Sequence, residues 1–479
     1  MADTIRRCAR NACIRALAWL TGAALLLSSC SSGRLDESRS AAVPARDDQA
    51  AQSPSPRGPI LHVLAPESRS LVALERLKAR HEAAAGVRVD ITRRAHMKDV
   101  LAEVDRGVAP GGIAYDAVVV PNHVLGRLVE SGHIRSLEGY LGDRTPSENQ
   151  RFDPEKDLFP GWWRATSWYR NKPYGYPFLA RVMSLWYRSD LSDEEEADAF
   201  YRKYRHPMNA STTWDEYEHI AEFMHQPENG RYGAVVVGAP EDALWYRWTQ
   251  YAHSFGAKIL DAAAPDEYGD IVVNSPEAVR ATEFYVKLLR FSPPDAAKYT
   301  EEDALRAFQE GRAATGVMWH DLAPRVDDSR ESKLPGRYGY ARLPTAGGKR
   351  VTLLETDLFV IPESAPHPRE AFELMQWALT HDVQLALTLN GGFSARPSVY
   401  KDQAVKRALR LHMWMFPNLI EGAVPTMMIP EADQIARAMS AELSRVVRGE
   451  IAPKAGLDRM ARQLEKMLGG KARLRYPPK

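Results

Sequence analysis

The sequence predicts a two-lobed α/β protein, and three observations carry that prediction. Residues 59–121 alternate strand and helix patterns as β-α-β-α-β, which implies a parallel sheet with right-handed crossovers. The chain has 479 residues, too many for a single hydrophobic core and enough for two lobes. Between the lobes stands Tyr174–Leu191. There a turn at Pro173–Gly175 feeds an apolar, β-branched and aromatic run through Val182, Met183, Leu185, Trp186 and Tyr187. Such a run, bounded by breakers, reads as a buried strand. One α/β pattern is complete before it and another begins after it, so it is read as a hinge strand with a ligand cleft at its side. The alternative is an ordinary core strand.

Composition narrows the partners. Net charge is +1 with both signs interspersed, which suggests neither nucleic acid nor an anionic surface. The three cysteines, Cys8, Cys13 and Cys30, all fall in the first thirty residues. Arg6, Arg7, Arg10 and Arg15 precede an apolar run from Ala16 to Leu27. A basic start, a short apolar run and small residues before a cleavage point make a secretory signal rather than a spanning helix. Leu27-Ser28-Ser29-Cys30 resembles the lipobox of bacterial lipoproteins, in which the cysteine becomes the lipid-modified first residue. Each buried CH₂ of such a lipid contributes roughly 0.8 kcal/mol, so two acyl chains hold a domain on a membrane. The expectation is therefore a signal over 1–29 and an envelope protein anchored through Cys30. The alternative is a plain signal peptide with a chance cysteine. Processing would remove the other two thiols, excluding a disulfide framework, a zinc cluster or a cysteine nucleophile. Residues 30–58 are Ser, Ala, Arg, Asp, Gln and Pro with almost no large apolar side chain, the composition of a disordered tether.

The folded part begins at Pro59. Ile60–Leu64 reads as a strand, Leu71, Leu74 and Leu77 mark a helix face, and Val87–Ile91 and Tyr115–Pro121 are further strands. Ligands of such sheets bind beyond the carboxyl ends of strands, so the loops Ala65–Ser68 and Pro121–His123 face any site. Residues 151–173 read as an aromatic loop. After the hinge strand, the acidic run Asp193–Glu196 is a solvated helix face, and Thr213-Trp-Asp-Glu216 is a capping box. Tyr232–Gly238 is read as a strand, Trp245, Trp248 and Tyr251 as a helix, and Asn274-Ser-Pro276 as a helix start. Thr315–Trp319 is a buried strand ending at His320-Asp321. Thr352–Pro362 makes a second crossing between lobes, and Gly391–Pro397 a tight turn and third crossing. Helices over Arg369–Leu379, Glu431–Val447 and Pro453–Leu468 complete the chain, with no internal repeat, heptad or second membrane segment.

Four stretches in this order resemble the extracellular solute-binding proteins of bacterial ABC importers, the sugar-binding branch that includes maltose-binding protein. They are Tyr174–Leu191, Thr213–Tyr217, His253–Leu260 with Val273–Ala278 and Phe284–Leu288, and Phe308–Trp319. Asp116–Val120 and Arg448–Pro453 support them, so the resemblance spans almost all of 59–470. It implies a periplasmic-binding-protein fold of type II, each lobe a mostly parallel sheet flanked by helices, with three crossings and closure on ligand. The lobes would comprise 59–179 with 356–397, and 180–355 with 398–479. The implied function is capture of a small solute, a sugar or oligosaccharide, for delivery to membrane permease subunits, with neither cofactor nor catalysis.

A sugar offers hydroxyls for hydrogen bonds and C–H faces for rings, so its site needs carboxylates, amides or arginine beside aromatics. Phe178, Trp245, Tyr246 and Trp319 are the stacking candidates, each alternatively a core residue. Asp321, Glu355 and Asp357 are polar candidates at strand ends or crossings, alternatively surface residues. Arg396 either lines the third crossing or forms a structural ion pair. Arg181 either pairs with Asp357 or Asp321 or points its fork into the cleft, where it suits vicinal hydroxyls, carboxylate or phosphate. Arg181 falls where the maltose binder carries a sugar-contacting Glu, and that protein's aromatic and acidic cluster in the first lobe has no counterpart here. The type of sugar therefore does not carry over. A glycosidase using Glu355 and Asp357 is the rival class, against which stands the lack of His-Glu-x-x-His, Gly-x-Ser-x-Gly, phosphate-loop or calcium-loop motifs. A lipoprotein that keeps the binding fold as a sensor or scaffold is the other alternative.

Overall fold

Apolar runs covered on both faces set the architecture. In the computed structural model, which describes residues 58–107, 113–141, 152–208, 213–348, 350–409, 416–420 and 422–477, Val118, Val119 and Val120 are each at most 1% exposed. They form β3 (Ala117–Pro121), preceded by β1 (Ile60–Pro66) and β2 (Arg88–Arg94). The hinge stretch is β4 (Gly175–Arg188), and four more strands follow: β5 (Thr315–Trp319), β6 (Tyr338–Ala341), β7 (Thr352–Val360) and β8 (Ala423–Pro425). Together they make one eight-stranded sheet whose main path runs β6-β4-β7-β3-β1-β2, with β5 on β4 and β8 on β7.

β1 is parallel to β2 from Ile60↔Arg88 to Pro66↔Arg94, and parallel to β3 at Val63↔Ala117. β7 is antiparallel to β3 and β4, with a register shift between Asp357 and Leu358. The fourteen-residue β4 changes partners midway: Gly175–Val182 pair with β7, whereas Met183–Tyr187 pair with β5 and Leu185–Arg188 with β6. All the pairings of β4 are antiparallel, so the expectation of mostly parallel sheets in both lobes holds only around β1–β3 and at the short parallel pairing of β7 with β8. Periodicity reports a strand's burial, not its direction, and β-α-β order was readable only at the front of the chain.

The principal helices around the site are α1 (Arg69–Ala85), α2 (Met97–Arg106), α3 (Asp242–Ser254), α4 (Glu301–Gln309) and α5 (Ala432–Val447). Ser68 caps α1, its hydroxyl accepting from Leu71 N. The capping box at Thr213 and Glu216 forms as predicted. Pro453–Leu468 is a helix with the predicted ends.

Two local readings change. Tyr232–Gly238 is not a ladder strand; it keeps a single bridge, Tyr232↔Ala313, and runs irregularly beside β5. Gly233 explains why, because a Cβ there would lie 1.7 Å from Ala221 O, so the segment is pressed against a helix rather than paired. Residues 152–173 are not an open loop but contain helices Pro154–Asp157 and Trp162–Ser167 and a short hairpin. Their rings are core, with Trp162 Nε1 donating to Thr356 Oγ1 on β7 at 3.0 Å and Trp163 Nε1 to Gly175 O on β4 at 3.0 Å. Cys30 and the signal and tether segments lie outside the described residues. Among the described residues no helix is long and apolar enough to cross a membrane.

Candidate functional site

The carboxyl ends of β1 and β3 and the middle of β4 converge on a cleft of about 1420 Å³. Glu67–Ser70, at the start of α1, Pro121, the last residue of β3, and His123 beyond it line the cleft, as the strand-end rule predicts. β4 contributes Leu179, Ala180 and Arg181, and β7 contributes Asp357. The opposing wall comes from Tyr246 on α3, Glu301 on α4, Asp321 after β5 and Asp433 on α5. The turn Gly391–Phe393 closes one end. Gly392 permits it, since a Cβ there would come within 2.2 Å of Ser70 Oγ. Arg69 bridges nearby, donating to Asp328 Oδ2 at 3.1 Å and Pro324 O at 3.3 Å.

One half of the floor is fully wired. Asn122, completely buried, accepts from Thr356 N at 2.8 Å and donates to Thr426 Oγ1 at 3.1 Å, which fixes the loop carrying His123. His123 Nδ1 stands 2.8 Å from Glu355 Oε1 and its Nε2 3.0 Å from Asp433 Oδ1. With an acid at each nitrogen the ring is an imidazolium. Burial works against that charge, but Glu355 and then Asp433 overcome it, raising the pKa to about 10. Glu355 is 0% exposed, and its second oxygen accepts from Thr426 Oγ1 at 3.1 Å. Asp433 also accepts from Arg127 Nε at 3.0 Å. Tyr246 Oη lies 3.0 Å from His123 Nδ1.

The other half is incomplete. Arg181 Nε lies 3.2 Å from Asp321 Oδ2, yet the N–H is not aimed for a hydrogen bond, and among the described residues the guanidinium makes none. Its carbon sits 5.1 Å from the centroid of Trp319, within cation–π range. Burial disfavours its charge, but Asp321, Asp357, Glu301 and Glu355 more than offset that and hold it protonated. Asp357 is 8% exposed, lines the cleft, and has no hydrogen-bond donor among the described residues; its Oδ1 is wholly buried. Burial raises its pKa to about 6; Asp321 and Glu355 add to the rise, and Arg181 and His123 oppose it.

Of the residues singled out in the sequence, Arg181, Tyr246, Asp321 and Asp357 line this cleft together. Trp319, 1% exposed, lies beneath Arg181 and Tyr246, and Glu355 stands behind His123. Three lie elsewhere. Phe178 is a core residue, its ring centroid 4.4 Å from that of Phe359, because it alternates with Leu179 and Arg181 on β4. Trp245 is 1% exposed and borders a separate, mostly apolar cavity of about 350 Å³, about 100° around the helix from Tyr246. Arg396 is a structural ion-pair residue, 3.2 Å from Asp157 and donating to Leu379 O at 2.7 Å. Sequence reasoning missed Asp433 and Arg127, which carry no local motif; His123 was placed by its loop but given no role. Among the described residues no cluster of three or more His, Cys, Asp or Glu is placed to hold a metal ion.

Residues 106–385 match the family model described as bacterial extracellular solute-binding protein. A probable ABC transporter-binding protein of Deinococcus radiodurans is 25% identical over 303 residues, covering 61% of this chain and 68% of that protein. A mannitol-binding protein of Pseudomonas aeruginosa is 27% identical over 211 residues, covering 43% of this chain and 44% of its own length. Among solved structures, maltose-bound MalE3 of T. maritima superposes with a TM-score of 0.70 at 23% identity, covering 86% of this chain and 100% of that one. A solute-binding protein of Agrobacterium vitis with bound D-mannitol gives a TM-score of 0.67 at 20% identity, with 86% and 99% covered. At that identity the superpositions establish the fold, which is the α/β periplasmic-binding-protein fold.

Proposed function

Because the chain belongs to the bacterial extracellular solute-binding proteins, a family of binding proteins rather than enzymes, we propose that its cleft captures a small polyhydroxylated solute, a sugar, oligosaccharide or polyol, for an ABC importer. The observation that carries this reading is the unfinished half of the floor. Arg181 offers donors and Asp357 an acceptor, both facing the cleft with no hydrogen bond among the described residues. A hydroxyl group donates and accepts at once, so neighbouring hydroxyls satisfy both. The maltose and mannitol named for relatives are solutes of that kind.

The lobes proposed are 59–179 with 356–397, and 180–355 with 398–479. They are joined where β4 changes partners, along β7, and at the turn 391–397. Arg69–Asp328 and His123–Asp433 then bridge the lobes, and closure on solute presents the protein to permease subunits. The glycosidase alternative finds no support in the geometry: Glu355 is fully buried and committed to His123 and Thr426, so it cannot act with Asp357 on a substrate. Anchoring through Cys30 completes the proposal. Cys30→Ala should lose lipid labelling, and normal labelled membrane fractionation would sink it.

The test of the main reading is titration calorimetry of the purified chain against D-mannitol, maltose and related polyols, with scattering on the same samples. Binding without turnover and a smaller radius of gyration are expected. A folded protein that binds neither these solutes nor their amino derivatives would exclude solute capture, and a radius unchanged at saturation would exclude closure.

A further inference from the structure

Among the described residues, the buried and half-buried charges of the cleft floor pair off until one is left, while Lys98, Glu241 and Arg437 line the cleft as exposed side chains. Glu355 and Asp433 share His123, Asp433 also takes Arg127, and Arg127 takes Asp105 as well, so each of these acids has a cation beside it. Glu301 takes Arg247, and Asp321 takes Arg181. Asp357 remains, more than nine-tenths buried, lining the cleft, with neither counter-ion within 4 Å nor hydrogen-bond donor among the described residues. Leaving a buried carboxylate in that condition is costly. A neutral hydroxyl would supply one donor and leave the charge uncancelled. An ammonium group supplies three donors and a compensating charge.

Resting on the solute-binding reading above, we propose that the solute is cationic: a polyhydroxylated molecule carrying an ammonium group, an amino sugar or amino polyol, with the ammonium seated on Asp357 and Arg181 donating to adjacent hydroxyl oxygens. The arrangement explains why Arg181 is held away from Asp357 by its pair with Asp321 and its seat over Trp319. The place beside Asp357 is kept for the ligand's charge rather than filled by the protein's own.

Calorimetry on the full purified chain at pH 7.0 tests this with two matched pairs, D-mannitol against 1-amino-1-deoxy-D-mannitol and D-glucose against D-glucosamine. In at least one pair the amino member should bind tenfold or more tightly, and Asp357→Asn should remove that preference. Thermal melting checks that the variant folds; if it does not, the wild-type pairs decide. Neutral members binding as well as or better than their amino partners would overturn the cationic solute while leaving polyol capture intact. A preference that survives in Asp357→Asn would overturn the seat at Asp357. Binding of none of the four probes to folded protein would overturn the inference together with the reading beneath it.

Discussion

Glu355 and Asp357 stand two residues apart on one strand, in the same cleft floor, and meet opposite conditions. Glu355 has a partner for each oxygen, His123 on one and Thr426 on the other. Asp357 has none. Both are nearly or fully buried, so exposure does not distinguish them; completeness of the hydrogen-bond set does. A buried polar group with every partner supplied by the protein holds the fold, and one left short marks where something else must arrive.

The comparison breaks most readily at Glu355. Glu355→Gln leaves the His123 charge facing Asp433 alone and should cost about 3–5 kcal/mol of stability in urea unfolding. A loss under about 1 kcal/mol would show the wired half to be dispensable. The same half predicts an alkaline limit. His123 has its folded pKa raised to about 10 from an unfolded value near 6.5. Its contribution is therefore complete below about 6.5 and is lost as pH rises towards 10. His123→Gln should flatten that slope, and a stability curve with no His123-dependent fall between those values would remove the imidazolium assignment.

Asp357 behaves with the reverse sign. Its pKa is raised to about 6 from an unfolded value near 3.9, so between roughly 4 and 6 the folded chain binds the extra proton. Stability should then fall as pH rises through that window, by at most about 3 kcal/mol, and stay flat above it. Asp357→Asn should abolish the fall and raise the unliganded melting point near neutrality. An unchanged profile would mean that the carboxylate is not isolated. Arg181→Ala should weaken solute binding by roughly 1.5–3 kcal/mol, the scale of a hydrogen bond to a charged group, with little change in unliganded melting. A large melting loss with unaltered affinity would make Arg181 structural, like Arg396. The smallest effect belongs to the pair of the half-exposed Arg69 with Asp328. Arg69→Ala should cost about 0.2–1 kcal/mol, less at high salt, and a larger loss would point to a role beyond that of an exposed rim pair.

Much of the fold was legible because it rests on local patterns. The capping box at Thr213, Pro at the start of Pro453–Leu468, and the valine run of β3 each state their own conformation. Arg181 was legible for a related reason: a charged residue within an apolar strand needs either a partner or an opening, and it has both the pair with Asp321 and the cleft. What escaped depends on chain segments meeting from afar. His123 and Asp433 carry no mutual signal in sequence, and only the packing of α5 against the loop after β3 brings them together. Phe178 and Trp245 were misplaced by one step of alternation or rotation, since aromatic character reports burial but not which side of an element is buried. Strand direction was invisible for the same reason.

The partner change along β4 carries a consequence for how the chain is made. Its ladder partners lie at residues 315–319, 338–341 and 352–360, so a nascent chain that has produced β4 has no native strand to lay against it until well over a hundred further residues exist. Closing loops of that length is entropically costly and slow. β1 and β2 can pair early across a short connection, but β3 reaches its full complement only when β7 arrives. A fragment ending before residue 315 should therefore retain the β1–β2 pairing yet lack cooperative unfolding.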